Sequence, residues 1–145
     1  MGLYDGAISM ITVVATGGFD PIHTGHINYL EDAATAGARL VVGVNSDAWL
    51  IRKKDRAFMP FEERAAIVQA MGCVDEVIAF DDSDGTAIDC LEHVKKLYPL
   101  DTIVFANGGD RTSENIPEMA VEGVEFDFGV GGTNKKNSSS WILKE

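Results

Sequence analysis

The chain has 145 residues, of which 46% are hydrophobic and 24% charged, and this length and composition predict a single globular domain over residues 1–145. Its 23 acidic residues outnumber its 12 basic residues, which gives a formal net charge of -11 at pH 7. Nucleic acids and anionic membranes are bound through Lys and Arg, so this charge argues against either as a partner. A small anionic ligand needs only a local group of cations and N–H donors, and it stays compatible with the composition.

Localisation signals point to the cytoplasm. No stretch approaches the ~20 apolar residues of a membrane-spanning helix, and the first residues lack the basic and apolar regions of a signal peptide. Cys73 and Cys90 do not form a Cys-x-x-Cys pair, so we expect two free thiols in a reducing compartment.

Apolar runs alternate with helical patterns from the start of the chain. Residues 8–16 form a β-branched, nearly continuous apolar run, which is typical of a strand covered on both faces. A helix follows that Thr24 can cap and Gly37 can end. The later predicted elements are a strand over 39–44, a helix over 60–72, a strand over 74–80, a helix over 86–98, a strand over 101–106, an edge strand over 124–128 and a helix beginning at Ser138 or Ser139.

This alternation predicts an α/β fold: a Rossmann-like single domain with about five strands in a mainly parallel sheet and helices on both faces. Ligands of such sheets bind outside the carboxyl ends of the strands. The basic run over residues 53–56 is expected in a loop at that rim, where it is either solvated or a phosphate clamp. The acidic run over residues 81–84 is expected to be a solvated lead-in to the next helix.

The segment that follows the first strand has the composition of a phosphate site. Residues 16–26 read Thr-Gly-Gly-Phe-Asp-Pro-Ile-His-Thr-Gly-His. Gly17 and Gly18 lack side chains and would let a nucleotide approach the backbone. The first turn of the following helix supplies free N–H groups and the positive end of the helix dipole.

Two histidines three residues apart, His23 and His26, add neutral or cationic donors at the same place. Such donors suit a triphosphate whose α-phosphorus is attacked while negative charge develops on its oxygens. A surface pair or a zinc site are the alternatives, because this spacing on a helix can bind a metal. No third His or Cys accompanies the pair, so we predict no metal ligand.

The whole string resembles the signature of the His-x-Gly-His nucleotidyltransferase superfamily, whose cytidylyltransferase-like members include glycerol-3-phosphate cytidylyltransferase and the adenylyltransferase of ADP-heptose synthesis. The resemblance implies direct attack of a substrate phosphate on the nucleotide α-phosphate, with release of pyrophosphate. It implies that His23 and His26 stabilise the transition state. It also implies CTP or ATP with Mg²⁺ as the donor, a phosphorylated sugar or polyol as the acceptor, and a homodimer.

Several later segments extend the resemblance. Residues 45–47 match a polar triplet after the second strand, and residues 53–64 resemble a basic loop followed by an arginine-bearing helix. Residues 107–110 are similar to the Lys-Gly-Gly-Asp of the heptose enzymes, and residues 138–140 to a hydroxyl-rich motif beside the phosphates. The chain departs from these patterns at Asn107, where the heptose enzymes have Lys, and at Thr133, where the glycerol-3-phosphate enzymes have Arg.

The site residues predicted in this way fall into three groups. The catalytic residues are His23, His26 and Lys54; the nucleotide-binding residues are Thr16, Gly17, Gly18, Phe19, Asp20, Arg56, Asn107, Gly109, Asp110, Ser138 and Ser139; the substrate-binding residues are Asp47 and Arg64.

Three alternatives remain open at this stage. Arg64 serves equally well as a structural partner of Glu62, Glu63 or Asp75. Asp110 binds nucleotide, ribose or Mg²⁺, or it caps a turn. A nucleotide-binding module or sensor that lacks catalysis is the rival function. A class I tRNA synthetase also has a similar histidine motif, but this chain is too short and too acidic for one.

Overall fold

Five strands pair into one parallel sheet in the order β3-β2-β1-β4-β5, in a computed structural model that describes residues 9–109, 111 and 116–132. The strands are β1 (Ile11–Gly17), β2 (Arg39–Val44), β3 (Glu76–Ile78), β4 (Thr102–Ala106) and β5 (Val124–Asp127). The helices are α1 (Thr24–Ala34), α2 (Asp47–Lys54), α3 (Phe61–Gln69) and α4 (Ile88–Leu97), with a short 3₁₀ turn over Pro117–Ala120. The predicted Rossmann-like α/β fold is confirmed.

The central strand β1 is covered on both faces, which explains its continuous apolar sequence. Val13 faces a core cluster that includes Leu30 of α1 and Val68 of α3. Val14, the next residue, faces a second cluster that includes Leu91 of α4. The two faces of the sheet are therefore closed by different helices.

The chain reverses its direction across the sheet at β1. It moves outward from β1 to β2 and β3, and it then returns to the other side of β1 to form β4 and β5. This reversal opens a crevice at the carboxyl ends of β1 and β4, where parallel α/β sheets bind their ligands. The loops that follow β1, β2 and β4 meet at this edge.

Most predicted helices and strands are present, and most of them are shorter than predicted. The strand over 39–44 has the predicted bounds, and the last predicted strand, β5, lies at the edge of the sheet as expected. The prediction of a loop for residues 53–56 was wrong for Lys53 and Lys54, because they end α2, a helix that was not predicted. Leu50 is the one buried residue of that helix, so its sequence carries no apolar periodicity. The helix predicted from Ser138 or Ser139 lies outside the described residues.

Two further expectations can be compared with the structure. Cys73 and Cys90 are both free, as predicted. Within the described part of the chain, no helix is both long enough and apolar enough to cross a bilayer.

Candidate active site

His23, rather than Thr24, caps helix α1. Its backbone is extended, with φ -147°, and its Nδ1 accepts a hydrogen bond from the N–H of Gly25 over 3.0 Å. The N–H of His23 donates in return to Nδ1 of His26 over 3.1 Å. The two histidines thus form a reciprocal capping box, an arrangement in which Ser or Thr and Glu or Gln are the usual residues.

The capping bonds fix the tautomer of both imidazoles. Each Nδ1 accepts from an N–H group, so each neutral ring carries its proton on Nε2. The rings of His23 and His26 are stacked, with their centroids 3.9 Å apart. Burial lowers the pKa of His23, and burial together with the charges of His23 and Lys54 lowers the pKa of His26 to about 3. Near pH 7 the pair therefore offers two neutral Nε2–H donors.

Close packing explains Gly17, the last residue of β1, and Gly18, the first residue after it. A Cβ on Gly17 would lie 3.1 Å from Cζ of Phe19, and a Cβ on Gly18 would lie 2.8 Å from Cδ2 of Leu50. The room made by their missing side chains is therefore filled by the protein itself. Phe19 adopts a left-handed backbone with φ 51°, and its buried ring packs edge-to-face on His26 at 5.1 Å. The Phe19 side chain therefore supports His26 from the core, and the predicted nucleotide contact of this residue is left to its main chain.

Asp20 joins the loop after β1 to the segment between α2 and α3. Its carboxylate is buried and accepts from the N–H groups of Phe58 at 2.6 Å and Met59 at 2.7 Å. Its main-chain carbonyl accepts from Nζ of Lys54 over 2.6 Å. The Asp20 carboxylate therefore holds the loop, its main-chain carbonyl helps to place Lys54, and the predicted nucleotide contact of this residue is left to the main chain.

The basic residues at the end of α2 have different surroundings. Lys54 is half-buried, and burial lowers its pKa. Lys53 lies over the ring of Trp49 at 4.6 Å, and exposed Arg56 lies 5.8 Å from the ring of Phe58. Of the three cations, Lys54 is the one that contacts the loop after β1 through a hydrogen bond.

Arg64 is a buried structural residue. Its guanidinium has no exposed surface and donates to the carbonyls of Met59, Gly18 and Asn45 over 2.7–2.9 Å. Its fourth bond is an ion pair with Asp47 at 2.6 Å. The bonding of Arg64 thus fits the structural alternative, with a partner after β2 rather than one of the three carboxylates considered, and its guanidinium leaves no exposed surface for the predicted substrate contact. Asp47 is 43% exposed and is the member of the pair that can meet a ligand.

The loop after β4 forms the other wall of the crevice. Asn107 is 1% exposed, and its Nδ2 donates to the carbonyls of Phe105 at 3.1 Å and Asp127 at 3.3 Å. Its Oδ1 is buried and has no hydrogen-bond partner among the described residues. A buried acceptor of this kind is rare in folded proteins, and it suits a donor supplied by a ligand. Gly109 follows with φ 64°, a conformation that favours glycine.

Asp82 supports the candidate site, and the prediction that it belongs to a solvated lead-in was wrong. It is buried, and its carboxylate accepts from Nδ2 of Asn45 at 3.0 Å and from the N–H and Oγ of Ser46 at 2.8 and 2.7 Å. Burial alone would raise its pKa, but these hydrogen bonds outweigh burial and lower it. Asp82 is therefore an anchor for the loop after β2 rather than a solvated lead-in. Its partners are 36 residues away or more, so no local pattern could have identified it.

Asp110, Ser138 and Ser139 lie outside the described residues. Among residues 9–109, 111 and 116–132, no group of three His, Cys, Asp or Glu side chains could hold a metal ion.

Comparisons with known proteins agree with this fold. The sequence matches the family model described as cytidylyltransferase-like over residues 14–135. It is 39% identical over 112 residues to the D-beta-D-heptose 1-phosphate adenylyltransferase of Bordetella bronchiseptica, a match that covers 75% of this chain and 64% of that protein. It is 41% identical over 106 residues to the bifunctional protein HldE of Geotalea uraniireducens, covering 72% of this chain and 20% of that protein.

A solved structure, the lipopolysaccharide core biosynthesis protein from Thermoplasma volcanium, superposes with a TM-score of 0.62 at 24% identity. The superposition covers 83% of this chain and 96% of that one, and at this identity it supports the fold alone. The chain spans less than two thirds of the length of the two curated relatives named here.

Proposed function

This chain belongs to the cytidylyltransferase-like family, and we propose that it is a nucleotidyltransferase. It transfers a CMP or AMP moiety from CTP or ATP to a phosphorylated small molecule, a sugar or polyol phosphate, and releases pyrophosphate. The name of the Bordetella relative supports ATP and a sugar 1-phosphate as the first pair to test. A homodimer belongs to the same proposal and is tested by light scattering.

The observation that carries the proposal is the stacked pair of neutral histidines beside Lys54. Both Nδ1 atoms are used in the cap of α1, so both remaining donors are Nε2–H groups at the carboxyl edge of β1. Lys54 adds an ammonium group that is near enough to His26 to lower its pKa. Preformed donors of this kind stabilise the charge that develops on phosphate oxygens in a transition state without having to reorganise.

The proposed reaction needs no covalent intermediate on the protein. An oxygen of the acceptor phosphate attacks the α-phosphorus and forms a new P–O bond, while the bond between the α-phosphorus and its bridging oxygen breaks. Pyrophosphate takes the electron pair of that bond and leaves. The role of the protein is to bind, align and neutralise charge, which is the usual division of work in phosphoryl and nucleotidyl transfer.

The remaining residues are proposed as binding groups. The main chain from Thr16 to Asp20 and the side chains of Arg56 and Asn107 contact the nucleotide, together with Gly109. Asp110, Ser138 and Ser139 are proposed for the same role. Asp47 is proposed to face the acceptor, since its carboxylate keeps exposed surface beyond its bond to Arg64.

Magnesium fits this site when it arrives with the nucleotide. The nearby Asp20 carboxylate is used by two N–H groups, and Asp47 is paired with Arg64, so neither belongs to a carboxylate cage. Mg²⁺ commonly binds through substrate phosphates and retains several waters, which requires few protein ligands. Bound in this way, the ion would neutralise charge on the triphosphate.

The test is release of pyrophosphate with Mg²⁺, ATP or CTP, and a panel of sugar 1-phosphates, glycerol-3-phosphate, phosphocholine and phosphopantetheine. We expect turnover with one pair and a fall of ~10²-fold or more in His23→Ala. His93→Ala is the matched control, because it removes an exposed imidazole from α4. Turnover that His23→Ala leaves unchanged would remove the catalytic role of His23. Tight nucleotide binding without turnover of any pair would favour the binding-module alternative.

A further inference from the structure

We propose that Arg111 binds a phosphate group of the substrates and that Glu118 is the positioning residue that holds it at the crevice. This inference rests on the proposed nucleotidyl transfer and assigns that site a further cation. No local pattern in the sequence identifies either residue.

Glu118 uses both carboxylate oxygens inside the protein. It is 2% exposed, and its Oε2 accepts from the N–H of Ala87 over 2.7 Å, at the start of α4. Its Oε1 accepts from a terminal nitrogen of Arg111 over 2.8 Å. A carboxylate tied to a helix start by one oxygen holds its partner in a defined direction with the other.

Arg111 is the exposed member of this pair. It is two residues beyond Gly109 in the loop after β4, and its side chain is 39% exposed although its partner is buried. Tyr29 follows His26 by three residues on α1, and its hydroxyl donates to the carbonyl of Ala106 at the end of β4 over 2.6 Å. The loop that carries Arg111 thus begins beside α1 at the switch point between β1 and β4.

The charge balance of the site favours an anion at Arg111. A guanidinium has five N–H donors, and among the described residues Glu118 is the hydrogen-bond partner of Arg111. Arg64, by contrast, is fully buried and has no surface to offer a ligand. A guanidinium that is exposed and held in one direction can donate two N–H groups to a pair of phosphate oxygens. Such a cation stands out in a chain of net charge -11.

The first test measures binding of inorganic pyrophosphate by calorimetry, because it needs neither the base nor the acceptor to be known. The variants are Arg111→Gln, Glu118→Gln and the double variant, and Lys96→Gln is the control of equal charge on exposed α4. We expect the Kd for pyrophosphate to rise by about 10-fold or more in Arg111→Gln and in the double variant, as for loss of a charged hydrogen bond. Glu118→Gln should weaken binding by a smaller factor, because the cation stays and loses its direction.

The double variant separates binding from folding, because it removes the buried carboxylate together with its partner. If Arg111 only neutralises Glu118, the double variant binds pyrophosphate within about twofold of wild type, and the inference is overturned. Steady-state kinetics then identify the source of the phosphate: a selective rise of KM for the nucleotide or for the acceptor assigns Arg111 to that substrate. A wild-type protein that binds pyrophosphate but turns over no substrate pair would contradict the proposed function. The assignment of Arg111 is then still supported or overturned by comparing pyrophosphate binding among the same variants.

Discussion

The guanidinium of Arg64 donates to the carboxylate of Asp47 over 2.6 Å, and one member of the pair is fully buried while the other is 43% exposed. The remaining bonds of Arg64 reach the carbonyls of Met59, Gly18 and Asn45. A single side chain therefore joins the loops after β1 and β2 to the start of α3. The two members of this ion pair should respond differently to substitution.

Arg64→Ala should lower the free energy of unfolding by about 3–5 kcal/mol, because it leaves several buried carbonyls without a donor. Asp47→Asn should lower it by a smaller amount, about 1–3 kcal/mol, because the amide oxygen can still accept from Arg64 while the buried guanidinium loses its carboxylate partner. Urea unfolding of both variants measures the difference. A free energy of unfolding for Arg64→Ala within about 1 kcal/mol of wild type would contradict the structural role given to Arg64. A raised KM for the acceptor in Asp47→Asn would support its proposed contact with substrate.

Gly18→Ala should destabilise the protein by about 1–3 kcal/mol, since the added Cβ would lie 2.8 Å from Cδ2 of buried Leu50. Gly72→Ala is the matched control, because a Cβ there meets nothing within 4 Å. Thermal unfolding should give a lower Tm for Gly18→Ala and an unchanged or higher Tm for Gly72→Ala. Equal Tm values for Gly18→Ala and wild type would mean that the loop does not pack on α2 as described.

The sequence predicts those features whose information is local. The bounds of β2 follow from an uninterrupted apolar run, and the position of the site follows from a motif after the first strand. Helix α2 was missed because a short polar helix with one buried residue leaves no periodic signal. The partners of Arg64 and Asp82 were missed because they are 17 to 46 residues away along the chain for all but one contact, and only the topology brings them together.

The free energy of unfolding should decrease as the pH is lowered below about 6.5, in part because of His26. Its pKa is about 3 in the folded protein, against an ordinary value of 6.5 for a solvated histidine, so the unfolded chain binds the proton first as the pH falls. The resulting slope is at most about 1.4 kcal/mol per pH unit for one proton. Urea unfolding between pH 7.5 and 4.5 should show a shallower loss in His26→Gln, whose amide can keep the capping bond to His23.

Carboxylates titrate in the same range. The prediction is therefore tested by the difference in slope between His26→Gln and wild type, and not by the slope of wild type alone. His93→Gln on α4 is the control and should follow wild type. Parallel curves for His26→Gln and wild type would contradict a neutral, desolvated His26.

Asn107→Ala should raise KM for the nucleotide by about 5- to 10-fold with a smaller change in kcat, because it removes the buried Oδ1 that has no partner among the described residues. Steady-state kinetics at saturating acceptor measure this effect. Asn28→Ala on the exposed face of α1 is the control. Unchanged KM in a folded Asn107→Ala protein would remove Asn107 from the proposed nucleotide contacts.

The most direct test of the central claim, that His23 acts on the transition state through Nε2–H, is kcat for pyrophosphate release in His23→Asn. Asparagine is a good helix cap and can keep the bond to the N–H of Gly25, but it has no counterpart of Nε2–H. We predict a Tm close to that of wild type and a kcat lower by ~10²-fold or more, as in His23→Ala. A His23→Asn protein with wild-type kcat, beside an impaired His23→Ala, would mean that His23 serves only as the cap of α1 and would contradict the account.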